Sequence, residues 1–211
     1  MRRLMAVVLI IAGLGLLAYP TARERYYDYR QQQLLKAWAE SLAEAASPDA
    51  PVESPVESPE SSPDDRPDPA LEKYVQENMI GVLRIARIGL EMPVLKRDTA
   101  SNLDISVAHL ANSAGPGETG NFCIAGHRQL TYGRHFNRLH EVSKGDLVEF
   151  TGPEETFIYK VFEARVIQPE ETSVLEPSGV EKLITLVTCH GTRRPFTRFV
   201  VRGRLVEEGE S

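Results

Sequence analysis

Two residues in the segment "ITLVTCHGTRRPFTRFVVRGRL", positions 184 to 205, stand where packing alone would not put them. Cys189 closes a β-branched apolar run with the composition of a buried strand, and Arg198 opens the run that returns. A cysteine ending a strand is either a small core residue or a nucleophile. Here it borders the loop "HGTRRPF", at a rim that a substrate can reach. If the two runs are antiparallel neighbours, Arg198 lies beside the thiol. In the returning run Phe199, Val201 and Leu205 share one face and Arg198, Arg202 and Arg204 the other, so Arg198 points to an outer groove. A thiolate attacking an acyl group also needs a proton donor for the leaving amine and a donor to the developing oxyanion. Arg198 suits the second role. Of the five histidines, His127 suits the first, because it follows the strand-like "NFCIA" across Gly126 and so sits at a strand end, as Cys189 does.

Each rival residue has a plainer reading. Arg193 and Arg194 compete with Arg198 but fall in the loop rather than on a strand. His135 and His140 lie on an expected short helix, in solvated or capping positions, and His190, directly after the cysteine, faces solvent or tunes the thiol. Cys123 alternates with Phe122 and Ile124 in an interior strand and reads as core; the alternative is a pairing with Cys189 under oxidation. Two cysteines are too few for a disulfide scaffold and lack metal-ligand spacing. The acidic clusters near Glu154 and Glu170 read as solvated loops, so no metal site and no cofactor is expected.

The elements that must position these groups occupy the second two-thirds of the chain. "MIGVLRIARI", "EMPVL", "NFCIAG", "DLVEFT", "TFIYKVFEARVI", "KLITLVT" and "TRFVVRGRLV" are short β-branched or alternating segments separated by Gly, Pro and Asp. Short helices are expected around 100–109 and 133–140. Such a β-rich domain of about 140 residues forms either a closed barrel or a sandwich, and periodicity does not choose between them.

The first third of the 211 residues reads differently. Arg2 and Arg3 precede the apolar stretch "LMAVVLIIAGLGLLAY", which as a helix is about 24 Å long. This reads as a signal-anchor over 1–22 with its N-terminus in the cytoplasm. A cleaved signal peptide is the competing reading, with Ala18 and Ala22 as small residues near the end. Residues 23–46 are free of Gly and Pro and predict a juxtamembrane helix, in which Tyr26, Tyr27 and Tyr29 suit an interfacial belt and Trp38 suits the belt or a packing partner. Residues 47–69 hold half of the 14 prolines and repeat PVES. Such a composition predicts a disordered, partly polyproline II stalk with a maximum reach of roughly 70 Å. The folded domain then runs from 70 to 211. A net charge of −6 gives no electrostatic reason to expect nucleic-acid binding.

Three motifs in order carry a family resemblance: "AGHR" after "PGETGN", "TLVTC" at 185–189, and an arginine nine residues later opening "RFVVRG". Together they resemble the sortases, membrane-anchored cysteine transpeptidases of Gram-positive bacteria, over roughly residues 80 to 206. The resemblance implies an eight-stranded sortase-type β-barrel, a His127, Cys189 and Arg198 site, and a substrate groove lined by Thr188 and Val187. It also gives His109 a structural role in tying a loop.

The implied reaction cleaves an LPXTG-like sorting signal after Thr through a Cys189 thioester. The surface protein then passes to a peptidoglycan or other amine. With ordinary pKa values, only about 1% of molecules at pH 7 carry thiolate and imidazolium together if the two are uncoupled. That fraction costs roughly 3 kcal/mol of apparent barrier.

"GHRQLTYGRHFNRL", "PGETGN" and the single anchor look most like class D. Pilus-building class C enzymes carry an Asp-Pro-aromatic lid motif and a C-terminal membrane segment, whereas here Ala70 follows Asp68-Pro69 and the sequence ends in "VEEGES". A class A housekeeping or class C pilus-building role, a cysteine peptidase with the same dyad, and a non-catalytic wall-binding module are the alternatives. The expected location is the cell membrane, single-pass, with the catalytic domain outside.

Overall fold

A computed structural model of the chain describes residues 2–45, 68–128, 135–191 and 196–206. The expected stalk, apart from Asp68 and Pro69, lies outside the described residues.

Eight strands close into a barrel: β1 (Met79–Ile85), β2 (Leu90–Lys96), β3 (Val107–His109), β4 (Gly120–Ala125), β5 (Leu147–Thr151), β6 (Thr156–Ile167), β7 (Lys182–His190) and β8 (Thr197–Leu205). Their order around the barrel is β1-β2-β3-β4-β7-β8-β6-β5, and β5 pairs back onto β1. Closure leaves no free sheet edge. It also resolves the choice between barrel and sandwich that the spacing of apolar residues leaves open. β2 with β3 and β4 with β7 are parallel, and the other pairs are antiparallel.

Strand alternation fills the interior. Phe122 and Ile124 of β4, Ile184 and Leu186 of β7, and Val201 of β8 are fully buried in one core with Phe150 of β5. Each such side chain contributes about 1.5–3 kcal/mol by leaving water. Gly126, just past β4, has no room for a side chain, since a Cβ there would stand 2.6 Å from Phe136 and 2.8 Å from Val107.

Two of the expected short helices are corrected. The first, α3, ends at Ile105 (Ala100–Ile105). Extended backbone at Ser106, whose hydroxyl donates to the Pro93 carbonyl, then turns Val107–His109 into β3, the eighth strand. Between His135 and Glu141 the chain forms turns and one 3₁₀ turn (Leu139–Glu141) instead of an α-helix, and His135 has a φ of 45° that no helix contains.

α1 runs unbroken from Arg2 to Ala45, with Pro20 inside, so the expected boundary at residue 22 is not a break in structure. Among the described residues it is the one helix long and apolar enough to cross a membrane, by length and composition. Its first half exposes its leucines and isoleucines, whereas Leu34, Ala37 and Trp38 are buried. The i, i+3, i+4 spacing of those three places them on one stripe. That stripe packs on Val75 of α2 (Pro69–Asn78), on Met79 and Leu95, and on Ala108 of β3. Trp38 therefore packs on the domain. Helix α2 has no counterpart in the sequence reading, and it puts the start of the fold at Pro69. Asp68 caps it, its carboxylate accepting from the Ala70 N–H at 2.9 Å, and Pro69 supplies a preset φ at the first turn.

Candidate active site

β7 and β8 run antiparallel with Cys189 directly opposite Arg198. Opposed residues in such a pair project from the same face. The inward set on β7 is Ile184 and Leu186, so Thr185, Val187 and Cys189 project outward. On β8 the inward set is Phe199 and Val201, and Arg198 and Val200 project outward. Cys189 and Arg198 thus share an outer face of the barrel and are both half-buried. Cys189 is a free thiol and lies within the strand, which continues to His190.

β4 supplies the third group. It is parallel to β7, with Ala125 level with Val187, and the Gly126 N–H donates to the Val187 carbonyl at 3.1 Å. His127 follows Ala125 by two residues and Cys189 follows Val187 by two, so both lie toward the same end of the β4–β7 ladder. Its backbone is held from the other side, because the Phe136 N–H donates to the His127 carbonyl at 3.2 Å. The structure therefore brings His127, Cys189 and Arg198 to one end of the barrel from three adjacent strands.

The Arg198 guanidinium is itself fixed. One nitrogen donates to the carbonyls of Phe196 at 2.8 Å and Thr197 at 3.3 Å. Both are on the segment entering β8, so the guanidinium is braced from its own strand. A braced cation loses little conformational freedom when it meets developing negative charge.

Val187 and Thr188 divide. Val187 faces outward and packs with Val200, Ile167 and Val174 beside the groove. Thr188 faces inward opposite Phe199, buried, with no hydrogen-bond partner for its hydroxyl among the described residues. It lies behind the groove, because a one-residue step along a strand changes face.

The remaining histidines and cysteine sort by contact. His109 is tied through Nε2 to the Ala114 carbonyl at 3.0 Å, across the loop that precedes β4, and its ring packs on Phe122. His140 contacts the Asn137 carbonyl at 3.1 Å through Nδ1. His190 does not face open solvent: it is half-buried with its ring 5.8 Å from that of Phe199. Burial first, then the charges of Arg128 and His140, hold its pKa below the ordinary value. Arg193 and Arg194 lie outside the described residues.

Cys123 is fully buried but projects from the opposite face to Phe122 and Ile124, under the segment joining β6 to β7. It is level with Thr185, four residues from Cys189 along β7. That is about 13 Å along a strand. A disulfide needs Cα atoms within about 7 Å. The pairing of Cys123 with Cys189 does not fit this register.

The sequence reading missed Asn121. Its side-chain amide donates to the carbonyls of Val174 at 2.9 Å and Glu176 at 3.2 Å, and its oxygen accepts from the Thr185 hydroxyl at 2.7 Å. It pins the β6–β7 connection over the groove floor. A polar residue inside the otherwise apolar run of β4 was the one available signal.

Comparisons with known proteins converge on one family. A family model described as "Sortase domain" matches residues 83–206. "Sortase A" of Bacillus anthracis is 32% identical over 131 residues, covering 62% of this chain and 61% of that protein. "Sortase D" of Bacillus subtilis is 26% identical over 133 residues, covering 60% and 63%. The chain therefore spans less than two thirds of either relative. Among solved structures, a sortase D5 transpeptidase of Clostridium perfringens superposes with a TM-score of 0.56 at 33% identity, covering 61% of this chain and 79% of that one.

Proposed function

The chain belongs to the sortase family, and from that premise we propose that it is a cysteine transpeptidase acting on LPXTG-like sorting signals. The Cys189 thiolate attacks the carbonyl carbon of the Thr residue in the signal, and the Arg198 guanidinium donates to the oxyanion that forms. The C–N bond then breaks, and protonated His127 gives its proton to the departing amine. A thioester on Cys189 remains. An acceptor amine attacks it and yields its proton to the now neutral His127, and the thiolate is released as the new amide bond closes. The acceptor belongs to peptidoglycan or to another protein, and the donor is a surface protein carrying the signal.

The observation that carries this reading is the register, in which Cys189 stands opposite Arg198 on an outer face and the adjacent strand β4 ends two residues before His127 at the same end of the barrel. The apolar half of α1 serves as a single-pass anchor, with Arg2 and Arg3 on the cytoplasmic side and the barrel outside. The 33% identity with a sortase D5 and the "GHRQLTYGRHFNRL" segment favour class D. Asp68 and Pro69 form the start of α2, which argues against a lid of the class C kind. The 32% identity with a "Sortase A" makes class A the second reading.

The test uses the full chain in detergent, because truncation at residue 70 would uncover the apolar surface under Leu34, Ala37 and Trp38. It is incubated with a pool of LPXTG-like peptides, with and without triglycine or diaminopimelate, and intact mass is read. The expected result is a thioester adduct, absent in Cys189→Ala, that resolves into an amine-linked peptide. Release of hydrolysed peptide alone, with either amine present, would assign the chain to the peptidases. No adduct with any peptide would remove the proposal.

A further inference from the structure

The two chain exits that carry His127 and Cys189 have little in common beyond the last rung of their ladder. β4 stops at Ala125 and the Gly126 N–H makes its bond to Val187, whereas β7 continues to His190. The β7 exit turns at Gly191, whose φ of 88° lies in the left-handed region. Among the described residues, the Arg128 side chain reaches across. Arg128, the residue after His127, donates from Nη1 to the Gly191 carbonyl at 3.2 Å, two residues past Cys189 and 63 apart in sequence. Its own backbone is held by a bridge to His135. The carbonyl it meets belongs to a turn fixed from its other side, where the Thr197 hydroxyl donates to the His190 carbonyl at 3.2 Å.

We propose that Arg128 is a positioning residue that clamps the exits of β4 and β7 and so sets the spacing of the proton donor His127 from the nucleophile Cys189. This rests on the roles assigned to those two residues above. Arg128 does not touch the reacting atoms. It acts because a side chain one position from His127 is tied to a carbonyl two positions from Cys189, so neither exit can swing without breaking the tie. Its charge also stands near the ring of His190 and, after burial, helps hold the pKa of that imidazole below the ordinary value. A single exposed hydrogen bond sets the scale of the effect at about tenfold in rate.

The test measures thioester formation by the full chain for wild type, Arg128→Ala, Arg128→Lys, His127→Ala and the Arg128→Ala/His127→Ala double variant. It also follows the rate of Cys189 alkylation by iodoacetamide across pH, which needs no peptide. Arg128→Ala is expected to lower kcat/KM about tenfold with almost all of the loss in kcat, and Arg128→Lys to recover to within about threefold. In the His127→Ala background Arg128→Ala should add less than about twofold, because a clamp on an absent group has nothing to position. A loss below twofold in Arg128→Ala, or a full tenfold loss multiplied onto His127→Ala, would overturn the proposal. If wild type acylates no peptide, the reading of the reaction fails, and the alkylation profile still decides the clamp. A profile in Arg128→Ala moved toward that of His127→Ala supports it, and one superimposable on wild type rejects it.

Discussion

The two cysteines of this chain project from the same outer face of the same sheet, four residues apart in register, yet their surroundings are opposed. Cys123 is sealed under the β6–β7 connection. Asn121 and Thr185 bond that segment down beside it, its sulfur contacts the Leu175 carbonyl at 3.7 Å, and burial pushes its thiol up to about 11. Cys189 lies where the cover ends, half-exposed and opposite a braced arginine. The difference teaches that a thiol here is made inert or available by what crosses over it, and not by its residue type or by the face of the strand it occupies.

Substitution of each thiol gives the largest contrast. Cys189→Ala should lose more than about 10³-fold in thioester formation, while Cys123→Ala stays within about twofold. Comparable losses in both would end the distinction between them. Arg198→Ala should cost about 10²- to 10³-fold in kcat, the scale for removing one oxyanion donor. A change confined to KM would make it a binding group instead.

The sealed half is probed by Asn121→Ala, which leaves the Thr185 hydroxyl and two carbonyls short of a partner. It should destabilise the fold by about 1–3 kcal/mol in urea unfolding and open Cys123 to alkylation. If stability falls but Cys123 stays unreactive, the cover is held by something other than that network. The smallest effect is on pH. The folded pKa of Cys123 is raised above its ordinary value near 9 to about 11, so the folded state holds its proton longer than the unfolded state does. Its contribution to stability is complete below pH 9 and is lost as pH rises toward 11. The alkaline decline should be shallower in Cys123→Ala by equilibrium unfolding, and an unchanged slope would show that this thiol does not set it.

A second contrast concerns α1. Its first half presents apolar side chains outward along its length, and its second half hides only Leu34, Ala37 and Trp38. The first pattern suits lipid and the second suits one protein neighbour. The docked half is joined to the domain by polar contacts as well: Arg23 pairs with Asp104 at 3.0 Å, and Gln31 donates to the Ile105 carbonyl at 3.2 Å. The apolar first half and the half that packs on the domain belong to one continuous helix, Arg2–Ala45.

Much of this was legible in the sequence because it is local. Strand alternation placed Phe199 and Val201 inside and Arg198 outside, and β-branched runs between Gly, Pro and Asp marked seven of the eight strands. The apolar N-terminal run announced a helix, since hydropathy and helix propensity act over neighbouring residues. The order of the histidine, cysteine and arginine motifs pointed to the family. What only the tertiary structure decided is non-local. Closure of the barrel, the parallel pairing of β4 with β7 that sets Ala125 level with Val187, and the docking of Trp38 on α2 join residues tens of positions apart. The short strand β3 was hidden because three residues carry too little periodicity to compete with the helix before them. The fate of Cys123 was hidden for a related reason. Alternation says which way a side chain projects, but whether another segment covers it depends on the path of the β6–β7 connection, which no spacing within β4 records.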